Sequence, residues 1–226
     1  MDSADRLYDT EAGSGAGPEL TEDRMDSTTR ADSGPGEDGP RRRALMLARE
    51  ATIVGVVGNP RPRSRTYQMV RAVADAFAAA SGGRVEAVID LVELKGWLFD
   101  YGAPQVAPAL ERALGADVLV VGSPVYKATY TGLLKAFCDH IIQGQLTGKL
   151  ALPTMMGGAY NHALAVEHEL RPLLVELGAT CATPGLYVLE SQEGELEAVA
   201  RQYVERLAEG IGLPERAEGD PGGKQL

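Results

Sequence analysis

The segment Thr52-Ile53-Val54-Gly55-Val56-Val57 carries no charge and shows no apolar–polar alternation. A strand of that kind is buried on both faces, the situation of an inner strand in a parallel sheet covered by helices on either side. Asp117-Val118-Leu119-Val120-Val121 repeats the pattern. From residue 51 onward the chain alternates between strand-like and helix-like spacing. Strands are predicted at 52–57, 84–91, 117–121, 149–156 and 180–189, with Ser123-Pro124 stopping the third. Helices are predicted at 65–80, 104–115, 130–143, 162–177 and 194–210, with a kink at Pro172. Five strand–helix units joined by right-handed crossovers leave few topologies. The expected fold class is α/β, a three-layer domain whose five-stranded parallel sheet runs in the order 2-1-3-4-5, with helices on both faces.

Composition sets the limits of that domain. Residues 1–43 hold 11 acids and 6 bases and few large apolar side chains, too little apolar surface to offset the entropy of ordering. Residues 1–50 are therefore read as a disordered acidic tail and linker, 51–213 as one folded domain, and 214–226 as a flexible C-terminal tail. The formal net charge is -10, of which the N-terminal stretch supplies half, so general nucleic-acid binding is not expected. Cys138, on a predicted helix, and Cys181, on a predicted strand, match no metal or redox spacing and read as small buried apolar residues. Neither a signal-peptide core nor a membrane-length apolar run is seen, and a cytoplasmic location with no membrane contact is the expectation. His140, His162 and His168 have no convincing metal partners, and no metal site is expected. No Gly-Lys-Ser/Thr, no GxGxxG after the first strand and no nucleophile elbow occurs, so no catalytic side chain is nominated.

Three loops leave the carboxyl ends of predicted strands and should open on one edge of the sheet, where such folds bind ligands. The first is Gly58-Asn59-Pro60-Arg61-Pro62-Arg63-Ser64-Arg65-Thr66, with three arginines and two hydroxyls ahead of a helix. A strand, a turn and a helix start converge backbone N–H groups on an anion, and arginine suits a phosphate. A surface turn merely rich in Pro and Arg reads the same residues without a ligand. The second loop is Ser123-Pro124-Val125-Tyr126-Lys127-Ala128-Thr129-Tyr130-Thr131-Gly132, and the third is Gly157-Gly158-Ala159-Tyr160-Asn161-His162.

Together these loops resemble the NAD(P)H-dependent FMN reductase family of flavodoxin-like proteins, closest to the branch that supplies reduced flavin for sulfonate utilisation. The resemblance covers about 52–190, and the second loop with the following Leu-Leu-Lys is its most specific part. It implies a flavodoxin-like fold, the cofactors FMN and NADPH (or NADH), and hydride transfer to FMN. It further implies that Asn59, Arg61, Ser64 and Thr66 hold the FMN phosphate with Arg65 assisting. Asn59 stands where many of that family have Ser, and retains a donor. Pro124, Val125, Tyr126, Lys127 and Ala128 would border the ribityl chain and ring, and Gly157, Gly158 and Ala159 the pyrimidine edge. Plainer readings stand beside these: Tyr126 as a core aromatic, Lys127 as a solvated side chain, Gly157-Gly158 as a helix-entry turn, and His162 as a capping or packing residue. Tyr130 corresponds to an aromatic that, in that branch, sits in a widened helical turn at a subunit interface; simple packing is the alternative. A partner flavin-dependent monooxygenase and a homodimer or homotetramer are implied by the same likeness. Competing functions are an oxidoreductase that keeps FMN bound and reduces quinones or azo compounds, a flavodoxin-like electron carrier, and a domain without flavin.

Overall fold

The computed structural model of the protein describes residues 51–211. The expected acidic tail before them and the C-terminal tail from 214 lie outside the described residues. Five parallel strands form one sheet: β1 Thr52–Val57, β2 Arg84–Asp90, β3 Val118–Pro124, β4 Leu150–Gly157 and β5 Leu186–Leu189, in the order β2-β1-β3-β4-β5. The helices are α1 Arg65–Ser81, α2 Ala107–Gly115, α3 Gly132–Cys138, α4 Arg171–Glu176 and α5 Leu196–Ile211. The expected strand order and the flavodoxin-like three-layer arrangement are both present.

Alternate residues of the inner strands feed two separate cores. Ile53, Val57, Val118, Val120, Leu152 and Met156 pack with α1 and α5, through Met69, Val70, Phe77, Tyr203 and Leu207. Val54, Val56, Leu119, Val121, Ala151 and Met155 pack with α2, α3 and α4, through Ala113, Leu134, Phe137 and Leu174. Both faces are apolar because both are covered, which removes the alternation from the sequence.

Several boundaries differ from the sequence expectation. Strand β3 runs through Ser123 and Pro124, and Pro124 pairs with Met156. Val125 N–H donates to Met156 O at 2.8 Å, so the N–H that Pro124 lacks belongs to the side of the strand where β1 has already ended at Val57. Helix α3 is shorter than 130–143, because Thr131 caps it in extended conformation (φ -75°, ψ 151°) and Asp139 closes it. The track predicted as one helix at 162–177 divides into a 3-10 turn at Tyr160–His162, a π-helical turn at Val166–Leu170 and α4. Pro172 lies in the first turn of α4, where a missing N–H is tolerated. Arg171 N–H donates five residues back to Val166 O, so the widened turn lies just before the proline rather than a kink at it. Strand β5 begins at Leu186, and Thr180 contributes only an isolated bridge to Leu150. Cys181 consequently lies outside the strand and only partly buried, whereas Cys138 is enclosed on α3. Burial pushes the Cys138 thiol up to about 12, so it stays protonated and inert.

Candidate functional site

The carboxyl ends of β1, β3 and β4 bring the three loops together by direct backbone contacts. Gly58 N–H donates to Gly122 O at 2.8 Å, which ties the first loop to β3. The Thr131 hydroxyl donates to Gly58 O and accepts from Leu134 N–H at 3.2 Å, so one side chain caps α3 and pins the first loop to the second. A Cβ on Gly58 would lie 2.5 Å from Leu134 Cβ; only glycine permits this approach.

The first loop is braced by its own polar side chains. Asn59 and Thr66 are buried, at 7% and 1% exposure. Asn59 Nδ2 donates to Thr66 Oγ1 at 2.9 Å, and Asn59 Oδ1 accepts from Arg61 N–H at 2.9 Å. Pro60 and Pro62 carry no N–H. Arg63 has a left-handed backbone (φ 49°), and its N–H donates to Asp90 Oδ2 at 2.9 Å. The Ser64 side chain accepts from Tyr67 N–H at 3.2 Å as the N-cap of α1. Among the described residues, the N–H groups of Ser64, Arg65 and Thr66 have no acceptor, as expected at the start of a 17-residue helix. They mark the positive end of the α1 dipole.

The three arginines differ in role. Arg61 is exposed, with no side-chain partner among the described residues. Arg63 donates to Tyr67 OH at 2.8 Å and lies 4.7 Å above that ring. Arg65 turns away, donating to Glu190 Oε2 at 2.9 Å with Glu193 3.6 Å distant.

The second loop folds back on itself. Tyr126 N–H donates to Thr129 O at 2.9 Å and Thr129 N–H to Tyr126 O at 3.2 Å. The two residues between them, Lys127 (φ 54°) and Ala128 (φ 69°), are both left-handed, making a tight type I′ hairpin turn. Asn-Gly is the usual solution there, and Lys-Ala holds the same shape under strain. Pro124 is enclosed and Val125 partly so, while Tyr126 is 45% exposed and Lys127 and Ala128 face outward. Tyr126 is therefore not a core aromatic. Tyr130 follows the turn, half-buried against the α2–α4 core, and burial pushes its hydroxyl up. It does not lie in a widened turn; that feature occurs at Val166–Leu170, because the hairpin and the Thr131 cap keep Tyr130 out of α3.

In the third loop Gly158 and Ala159 are exposed, and a Cβ on Gly158 would meet nothing within 4 Å. Gly157 answers a different need. A Cβ there would sit 2.3 Å from Tyr187 OH, and Tyr187 donates to Ala159 O at 2.7 Å. Gly157 thus makes room for the side chain that holds the loop. His162 ends the 3-10 turn, partly buried. Among the described residues no cluster of three metal-ligating side chains occurs, and no helix is long and apolar enough to cross a membrane.

A family profile described as NADPH-dependent FMN reductase matches residues 51–194, which takes in all three loops. The chain belongs to the NADPH-dependent FMN reductase family. Membership makes it an oxidoreductase that uses FMN and a reduced nicotinamide nucleotide. Among relatives, the NADH-dependent FMN reductase SfnF of Pseudomonas putida is 33% identical over 60% of this chain and 75% of its own. An FMN reductase (NADPH) of Pseudomonas aeruginosa is 32% identical over 69% of this chain and 86% of its own. The apo crystal structure of an NADH:FMN oxidoreductase (EMOB) superimposes with a TM-score of 0.65 at 29% identity, covering 74% of this chain and 91% of that one. The names of these relatives divide between NADH and NADPH.

Three residues at this edge escaped the sequence reading: Asp90, Tyr187 and Glu190. Their only signal is position, since each lies at or near the carboxyl end of a strand that the topology brings to this edge.

Proposed function

We propose that this reductase binds FMN across the three loops, reduces it with NADH or NADPH, and releases it to a partner flavin-dependent monooxygenase. The observation that carries the reading is the set of unpaired N–H groups at Ser64, Arg65 and Thr66, next to a Ser64 hydroxyl that keeps its own proton to donate. A phosphate dianion fits that donor set, and the exposed Arg61 adds a charge-assisted contact. Asn59 and Thr66 serve the phosphate by bracing the turn, and Thr66 adds its backbone N–H. The Tyr126–Ala128 turn borders the ring, and the open Gly158-Ala159 backbone lies along its pyrimidine edge. FMN supplies the hydride-accepting ring when bound; the chain's own part is to orient it, cover it and stabilise charge with backbone donors.

Release suits a site without a buried aromatic clamp, since Tyr126 and Tyr160 are both exposed, at 45% and 71%. The exposed Phe99 and Leu164, at 82% and 67%, support assembly as a homodimer or homotetramer, which sedimentation reads directly. The decisive experiment mixes protein, excess FMN and either coenzyme anaerobically and follows flavin absorbance. Multiple turnovers of free FMN are expected. A single bleaching equal to the protein concentration, with a flavin off-rate far below turnover, would instead assign an oxidoreductase that keeps its FMN and passes electrons to quinones or azo compounds. A colourless protein that ignores FMN would end the reading.

A further inference from the structure

The turn between β1 and α1 has few backbone donors of its own. Pro60 and Pro62 have none. Arg61 N–H is taken by Asn59, and Arg63 N–H by Asp90 from the neighbouring strand. Asp90 ends β2 opposite Val57, the last residue of β1, and is 5% exposed. Its Oδ1 is buried with no hydrogen-bond partner among the described residues. A carboxylate in that position is expensive, and burial, the largest influence on it, raises its pKa from the ordinary aspartate value. Val92 N–H and the Glu93 carboxylate also act on it, and the hydrogen bond it accepts comes from Arg63, a non-glycine residue held at φ 49° immediately before the N-cap of α1.

We infer that Asp90 is the positioning residue of the phosphate turn: by accepting the Arg63 N–H it holds that residue left-handed and so aims the Ser64, Arg65 and Thr66 N–H groups at the anion. This rests on reading the first loop as the phosphate site. The geometry favours it over a purely structural brace because the bond sits one residue upstream of the donors. Loss of the acceptor lets Arg63 relax toward ordinary φ, and the helix start rotates away from the ligand. The effect belongs to the phosphate. Riboflavin, which has the same ring system and no phosphate, is the internal control.

The test measures dissociation constants for FMN and riboflavin by flavin fluorescence quenching in the wild type, Asp90→Ala and Asp90→Asn, with thermal unfolding of each. The wild type is expected to prefer FMN. Asp90→Ala should narrow the FMN-over-riboflavin ratio by about tenfold, the scale of a hydrogen bond to a charged or strained group. Asp90→Asn, which keeps an acceptor and loses the charge, should retain the ratio. A ratio unchanged in Asp90→Ala, or lost equally in Asp90→Asn, overturns the inference while leaving the phosphate site in place. Should Asp90→Ala unfold, the Asn variant still decides: loss of FMN preference there refutes the acceptor role. A wild type that binds both flavins equally sinks the phosphate reading itself and this inference with it.

Discussion

The first and second loops leave adjacent strands, touch through Thr131, and are stabilised in different ways. In the first, Asn59, Thr66, Ser64 and Asp90 are each spent on a neighbouring donor, so the turn is held by side-chain hydrogen bonds that are buried or partly buried. In the second, the hairpin places Lys127 and Ala128 in the left-handed region, and exposes Tyr126. Both loops hold non-glycine residues left-handed, Arg63 in the first and Lys127 and Ala128 in the second, but the first is braced by side-chain acceptors and the second by the backbone pair Tyr126–Thr129. A turn of the first kind suits a fixed, charged group. A turn of the second kind suits an extended surface against which a flat ring system lies.

The contrast is broken most severely at Asn59. Asn59→Ala strands both Thr66 Oγ1 and Arg61 N–H, and should lower unfolding free energy by about 2–3 kcal/mol in a urea titration. A loss within measurement error would mean that the brace is not what holds the turn. Ser64→Ala removes an N-cap and a phosphate donor together. It should cost about 1 kcal/mol of stability and weaken FMN binding by roughly tenfold, with riboflavin binding changed less. Undiminished FMN affinity would separate the cap from the ligand. Ala128→Gly should move the other way, raising stability by up to about 1 kcal/mol, because glycine meets no penalty at φ 69°. A destabilised variant would show that the turn is unstrained.

Two weaker effects sharpen the comparison. Asp90 has a folded-state pKa above its unfolded one, so the wild type is favoured in acid and loses that advantage as pH rises through the elevated pKa. Asp90→Asn lacks this slope. The stability difference between the two should therefore shift toward the Asn variant from about pH 4 upward and then level, as read by urea titrations across that range. A difference independent of pH would remove the raised pKa. Smallest of all is Arg65→Gln. The Arg65–Glu190 pair is 39% and 44% exposed, so its loss should cost well under 1 kcal/mol and vanish in high salt. A large loss of FMN affinity in that variant would mean that Arg65 leaves Glu190 for the phosphate.

The residues that could be read from the chain are those whose signal is local. The apolar run at Thr52–Val57 and the helix expected from residue 65 each follow from neighbours a few positions away, and each lies where expected. The three loops were legible as loops, and their common edge follows from the strand order. What was not legible depends on partners distant in sequence. Nothing near Asp90 announces that it will meet Arg63, 27 positions away. Nothing near Gly157 announces Tyr187. The resemblance enlists Arg65 for the phosphate, and nothing near it announces Glu190, 125 positions away. Pro172 misled for a related reason: a proline stops a regular ladder, but whether the chain kinks or widens depends on what holds the turn on either side. Here Arg171 donates to Cys181 O, beyond the end of α4, and Glu167 accepts from it.

By itself the amino-acid order determined an α/β domain with a ligand edge and narrowed the strand order to a few topologies, because hydrophobic period and crossover handedness act over one strand–helix unit at a time. Only the tertiary structure decided which polar groups at that edge are already paired and which remain for a ligand. A hydrogen bond is spent or free according to what lies within about 3 Å, and in a parallel sheet those neighbours come from units far apart along the chain.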